Sequence, residues 1–356
     1  MKSGFHISRA TYPTLAAIGL FIILLVVGQL TGGKILTLGN FASLFQNNAY
    51  LLLLAVGLTF AILTGGIDLS VGAVIAFTTV AGVTLMQAGW PSVLVAVLMV
   101  SMGSLFGFFS GVLVRYFNVQ PFIATLSIMF LARGLAGVIS IKSLKIPEGA
   151  AILGLSTKWT ILDLGSRSNR FYISPNVLIA ITVVIIAFFL LQRTRFGRTV
   201  YALGGNEQAA ELMGLPAQRT KLLVYVVSGT CSGLAGLVYA TNVKSVQNFV
   251  GVGWELDAIA ATVIGGTLLT GGAGYVLGSV VGVLVTGTLA TIITVSNFQI
   301  PGVPQGSMAS IITAIILLIF VLLQKAIMFG GGGQSSEAID EGKDTKEKKK
   351  PVSSTT

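Results

Sequence analysis

Residues 258–324 read AIAATVIGGTLLTGGAGYVLGSVVGVLVTGTLATIITVSNFQIPGVPQGSMASIITAIILLIFVLLQ, sixty-seven residues between Asp257 and Lys325 without one charged side chain. A helix needs roughly 20 mainly apolar residues to cross a bilayer, so this run alone holds as many as three spans. The pattern continues outward from it. Uncharged runs of 24, 46, 22 and 22 residues separate Arg9 from Lys34, Asp68 from Arg115, Arg170 from Arg193 and Lys221 from Lys244. Over 356 residues only 34 are charged, 54% are apolar, and the mean hydropathy is +0.89. A soluble chain carries about 25% charge, which excludes an ordinary soluble enzyme. The chain reads as an all-α polytopic membrane protein.

Ten spans fit the pattern, near 13–30, 47–63, 69–88, 91–114, 121–140, 174–192, 221–241, 257–269, 275–295 and 307–329. Pro91, Pro121 and Pro175 stand at or near helix starts, where a missing N–H costs nothing. Lys2, His6 and Arg9 precede the first span like a signal peptide, but Gly28-Gln29-Leu30-Thr31 is no small-residue cleavage site, so an uncleaved span is expected. With the amino terminus inside, fourteen Lys and Arg residues fall on cytoplasmic segments and seven on outer ones, in keeping with the positive-inside rule. Both termini are then cytoplasmic, as expected for a bacterial inner-membrane protein. Residues 1–12 form an amino-terminal tail, 13–329 the membrane domain with a 193–221 loop, and 330–356 a polar, disordered tail. Five acidic residues and five lysines cancel in that tail, so the formal charge of +10 belongs to the body. The Lys348–Lys350 run is either solvated or touches anionic lipid. A nucleic-acid partner is not expected.

An internal echo marks two junctions. Leu63-Thr64-Gly65-Gly66 with Gly72 matches Leu269-Thr270-Gly271-Gly272 with Gly278 at a constant offset of 206. Transporters are often built from similar halves with glycine-interrupted helices at matching positions. The alternative is a pair of tight turns between packed helices. Asp68 lies at the first junction, as a transport residue or as an ordinary cap. Arg133 needs a partner in the fifth span. Glu255 and Asp257 line a mouth, bind a partner or cap the eighth span. Asn47, Asn48, Thr59 and Asn242 line a path or hydrogen-bond between helices.

No phosphate-binding loop of the Gly-x-x-x-x-Gly-Lys-[Ser/Thr] type occurs, and one histidine with one cysteine makes no catalytic metal cluster. Neither a catalytic residue nor a cofactor is expected, and Cys231 reads as a small packing residue. The segment 193–221 is the informative one. It is basic, and Asn206 is a natural cap for a short helical stretch, Glu207 to Met213, set between Gly205 and Gly214. So short a helix cannot bury itself; it would plug a groove on another protein.

At this segment the chain resembles the permease subunit of bacterial ATP-binding-cassette (ABC) importers of the ribose-type sugar permease family. Gln208-Ala209-Ala210-Glu211-Leu212-Met213-Gly214 is similar to the Glu-Ala-Ala-x-x-x-Gly coupling loop, with Gln in place of Glu and no Ile-x-Leu-Pro tail. Thr64-Gly65-Gly66-Ile67-Asp68-Leu69-Ser70-Val71-Gly72, Arg195-Phe196-Gly197-Arg198, Gly204-Gly205-Asn206 and Ile264-Gly265-Gly266-Thr267 with Gly271-Gly272 also fit that branch. The likeness runs from about residue 45 to 325, and within the branch it looks closest to galactofuranose-type permeases. The resemblance implies a non-catalytic permease that pairs with a second permease subunit, identical or sister. It implies an ABC ATPase that receives the coupling helix at Asn206, Glu207, Gln208, Ala209, Ala210, Glu211 and Gly214. It also implies a periplasmic or lipid-anchored binding protein that delivers a monosaccharide. The path or helix junctions would involve Asp68, Gly65, Gly66, Asn47, Asn48, Gly271 and Gly272. An ion-coupled secondary transporter is the competing class, and a channel or membrane scaffold a third.

Overall fold

The computed structural model describes residues 12–32, 35–165, 170–295 and 305–329. The two predicted tails, 1–12 and 330–356, lie outside these residues apart from Tyr12. Twelve α-helices follow in order: α1 Tyr12–Gly32, α2 Leu38–Leu63, α3 Val71–Gln87, α4 Ser92–Tyr116, α5 Pro121–Ile139, α6 Pro175–Arg193, α7 Arg195–Gly205, α8 Glu207–Leu212, α9 Ala217–Val243, α10 Trp254–Ile264, α11 Val276–Val295 and α12 Gln305–Phe329. Pro121 and Pro175 open α5 and α6 at their first turns, and Pro91 caps α4.

Each predicted span contains a helix, although that of 257–269 ends at Ile264, and seven of these helices are long and apolar enough to cross a membrane: α1, α2, α4, α5, α6, α9 and α11. Of the other three predicted spans, α12 is apolar over residues 307–322, and the other two are short helices. With 17 and 11 residues, α3 and α10 are the elements beside the echoed glycine junctions. Non-helical backbone inside a membrane protein is tolerated where protein buries it. That is the case at 66–70, where Gly66, Asp68 and Ser70 are buried.

Helix α2 is the centre of the bundle. Its apolar window is 83% buried, against 28% for α4, α5 and α6, whose outward side chains are apolar and suit lipid. Its flank against α9 is set by small residues: a Cβ on Gly57 would lie 2.8 Å from that of Cys231, a buried free thiol. The most extensive seam joins α4 to α9. Gly103, Gly107 and Gly111 recur every four residues on one face of α4 and meet Leu222, Tyr225, Gly229 and Gly233 of α9 backbone to backbone. Lipid tails are as apolar as Leu, so such small-residue seams carry helix association through van der Waals contact. Ser104 and Thr230 add a 2.7 Å hydroxyl–hydroxyl bond across it.

The stretch between the fifth and sixth predicted spans, 141–173, carries secondary structure among its described residues. Strand β1, Leu144–Lys145, pairs antiparallel with β4, Ser245–Val246, and β2, Trp159–Asp163, pairs with β3, Arg170–Ile173. A 3-10 turn, Ala151–Ser156, lies between β1 and β2. Asp163 accepts from the Gly165 amide at 3.0 Å and pairs with Arg170 at 2.8 Å, which together hold its carboxyl below the usual carboxylate range. These pieces cover one end of the bundle, with the 88–91 turn and the 244–253 segment. The opposite end gathers the junctions 64–70, 117–120, 194–216 and 265–275.

Candidate functional site

At that second end, the segment between α6 and α9 folds into two short helices rather than one. Helix α7 was not foreseen. The Thr194 hydroxyl caps it by accepting from the Gly197 amide at 3.2 Å, and Val200 and Leu203 are buried. The Phe196 ring stacks on Phe60 of α2 with centroids 6.1 Å apart. Helix α8 matches the predicted stretch. The Asn206 side chain accepts from the Ala209 amide at 2.9 Å, satisfying one orphan donor of the first turn.

Its end is a Schellman stop. The Gly214 amide donates to the Glu211 carbonyl at 2.9 Å and the Leu215 amide to the Ala210 carbonyl at 3.1 Å. Gly214 itself adopts φ +74° with open space around it. Two side-chain ties then hold α8 to the start of α9: Glu207 pairs with Lys221, and Gln218 donates to Glu211 at 3.0 Å. Ala210 is fully buried against Leu203 and Ala217, so its smallness serves packing inside the chain. What α8 presents outward is Gln208, Ala209, Leu212 and Met213, with Leu212 90% and Met213 69% exposed. Leu212 and Met213 are the large apolar side chains that α8 and its stop leave exposed.

The arm formed by α7 and α8 is seated on the two echoed junctions. The Gly272 amide donates to the Leu63 carbonyl at 2.9 Å. A Cβ on Gly271, at φ +84°, would lie 2.7 Å from the Gly65 nitrogen and 3.0 Å from the Gly204 Cα. A Cβ on Gly204 would collide with the Leu63 oxygen and the Gly272 nitrogen. Gly65, Gly204, Gly271 and Gly272 therefore make one backbone knot: a Cβ has no room at Gly204, Gly271 or Gly272, and Gly65 turns through a left-handed φ of +78°. The Tyr201 hydroxyl donates to the Gly274 carbonyl at 2.8 Å; burial pushes its pKa up to about 12, so this donor stays protonated at any physiological pH. These contacts join α7 to the turns that follow α2 and α10.

Asp68 lies just beyond the knot and is fully buried. Its Oδ1 accepts from the Ser70 amide at 2.9 Å and the Ser70 hydroxyl at 2.6 Å, and its Oδ2 from the Ser228 hydroxyl of α9 at 2.7 Å. It satisfies the buried non-helical backbone ahead of α3 and ties it to α9. Arg133 finds its partners in backbone: its Nη1 donates to the Asn248 and Val250 carbonyls at 2.9 and 2.6 Å. Glu255 lies in the first turn of α10 and accepts from the Gly253 amide at 3.2 Å.

The remaining candidates are scattered. Asn47 is exposed, Asn48 donates to the Leu44 carbonyl of its own helix, Thr59 bonds Ser279 of α11 at 2.7 Å, and Asn242 accepts from Gln46 at 3.1 Å. Among the described residues, no three His, Cys, Asp or Glu side chains come together.

Comparison with known proteins gives this geometry its family. The family model described as the branched-chain amino acid transport system permease component matches residues 40–322. The fructose import permease protein FruG of Bifidobacterium longum is 50% identical over 300 residues, 84% of this chain and 88% of the relative. The inner membrane ABC transporter permease protein YjfF of Escherichia coli is 40% identical over 291 residues, 80% and 85% of the two chains. The ribose import permease protein RbsC of Bacillus subtilis is 38% identical over 275 residues, 76% and 82%. No solved structure matches the chain. The match takes in the arm, the glycine knot and every membrane helix from α2 to α11, and the chain belongs to this family of transport-system permease components.

Proposed function

We propose that this chain is the non-catalytic permease subunit of an ABC importer that moves a monosaccharide of the ribose, fructose or galactofuranose kind. One observation carries the reading. Helix α8 is capped at both ends and tied down by Glu207 and Glu211, yet it holds Gln208, Ala209, Leu212 and Met213 outward. It has the form of a rigid plug. A separate ATPase would receive that plug, and the backbone knot beneath it would pass the motion of α7 to α2 and α10 as a rigid-body displacement. Steric contact alone performs this step, so no proton or charge transfer is asked of the arm.

The relatives named for fructose, ribose and D-allose support a monosaccharide as cargo. A periplasmic or lipid-anchored binding protein would deliver it, and a second permease subunit would complete the path. The arm end is then cytoplasmic, with both termini on that side of the bacterial inner membrane. The occupied oxygens of Asp68 favour a structural post over a gradient-driven ion site.

The test is affinity purification of the tagged chain from native membranes in mild detergent, with mass spectrometry of what accompanies it. An ATPase that co-purifies, and is lost when Leu212 and Met213 are both replaced by Asp, is the expected result. A chain that emerges alone overturns the reading.

A further inference from the structure

Beside the arm lies a cavity of about 270 Å³, lined by Thr64, Asn118, Gln120, Glu207, Lys221 and Tyr225 together with the Gly65–Gly66 turn. Three elements meet there: the α2–α3 junction, the α4–α5 loop, and α8 with the start of α9. Tyr225 is the largest fully buried side chain of the described residues, and its ring packs against Gly66. Among the described residues no protein group hydrogen-bonds its hydroxyl, which reaches the cavity. A buried tyrosine hydroxyl ordinarily finds a partner. The Asn118 and Gln120 side chains stand exposed at its open side, where their amides can meet a polar occupant.

The lining selects the chemistry of an occupant. Its charged groups are one of each sign and already paired, Glu207 with Lys221, so no net charge is left for an anion or a cation. An apolar occupant would cover the Tyr225 hydroxyl and the exposed Asn118 and Gln120 amides without offering any of them a hydrogen bond. A neutral polyhydroxylated molecule brings donors and acceptors together and satisfies all of them.

We propose that this cavity is a second sugar site, at the arm end of the bundle, where released monosaccharide binds and slows further transport. The inference rests on the importer reading above. A sugar seated between Thr64, Gln120 and Glu207 bridges the α2–α3 junction, the α4–α5 loop and α8. It clamps together elements that must move relative to one another when the arm is driven. Accumulated product thereby brakes its own import.

The test uses the full chain in mild detergent. Its single native cysteine, Cys231, is buried, so Gln120→Cys places one reactive thiol at the cavity. Maleimide labelling of that thiol should slow about tenfold at a D-fructose or D-ribose concentration of about ten times Kd, by mass action. Leu212→Cys, on the far face of α8, should label at an unchanged rate. Labelling that no sugar slows, that inorganic phosphate slows instead, or that slows equally at Leu212→Cys overturns the site.

A second readout uses proteoliposomes of the chain with its ATPase. Sugar loaded on the arm side should depress uptake relative to empty vesicles of the same protein. Gln120→Trp, which fills the cavity mouth, should abolish that ratio. Equal depression in both proteins overturns the braking role. Failure of the importer reading would show separately, as unaltered chain that brings down no ATPase.

Discussion

Replacing Gly204 by alanine drives its Cβ into the Leu63 carbonyl oxygen and the Gly272 amide, both backbone atoms that cannot swing aside. Overpacking of that kind costs about 1–3 kcal/mol. The adjacent Gly205 has open space where its Cβ would stand. Gly204→Ala should therefore lower the melting temperature in detergent and uncouple uptake from ATP hydrolysis, while Gly205→Ala leaves both near wild type. Equal behaviour of the two variants would remove the knot from the mechanism. Asp68 makes a second residue-level test. Asn keeps an acceptor for the Ser70 amide and a group for Ser228 to bond, so Asp68→Asn should transport; Asp68→Ala strands the Ser70 amide in a buried site and should cost about 1–3 kcal/mol of stability. Thermal unfolding and uptake of the two variants check it. That Asp68 meets a local amide was legible from an Asp beside a helix start. Its tie to Ser228 was not, since a contact 160 residues away leaves no local signature.

At the scale of elements, α8 was the most legible piece of the chain. Asn206 at its start and Gly214 at its end are standard punctuation, and both do what those residue types do. Helix α7 escaped notice for an equally physical reason. Arg195–Gly205 contains three glycines and the β-branched Thr199 and Val200, a poor intrinsic helix former. Burial of Val200 and Leu203 and the stack of Phe196 on Phe60 fold it anyway. The 141–173 strands were missed because their pairing partners are remote or their runs short. The α8 stop yields a prediction. Gly214 has space but a left-handed backbone, so Gly214→Asn should retain ATPase co-purification. Gly214→Val should lose stability at the stop by about 1–2 kcal/mol and loosen the arm, and Gly214→Trp should abolish uptake without preventing membrane insertion. Equal ATPase recovery with Asn, Val and Trp would show that the stop has no part in coupling.

The whole molecule was readable as a membrane bundle from its uncharged runs, yet the order in which helices pack was not. Gly103, Gly107 and Gly111 show in the sequence as a stripe at fourfold spacing; which helix that stripe meets depends on the chain returning as α9 more than a hundred residues later. The seam and the central position of α2 explain one another. α4 approaches α9 to backbone contact, α9 lies against α2, and the arm leads directly into the start of α9 through the Glu207–Lys221 pair. A side chain inserted in the seam would push α4 away from α9 and disturb the base of the arm with it. Gly107→Leu should therefore act on the bundle as a whole. Its Cβ meets the Tyr225 carbonyl and the Gly229 Cα, which leaves room for none of the added atoms. The expected result is a chain that inserts but elutes broadly in detergent, loses its cooperative thermal transition and fails to bring down an ATPase. Phe109→Leu, two residues along the same helix but on its exposed face, changes volume where lipid can adapt and should elute as wild type. A Gly107→Leu chain that melts and couples normally would mean that α4 rides loosely on α9, and that arm motion reaches α2 through the glycine knot alone.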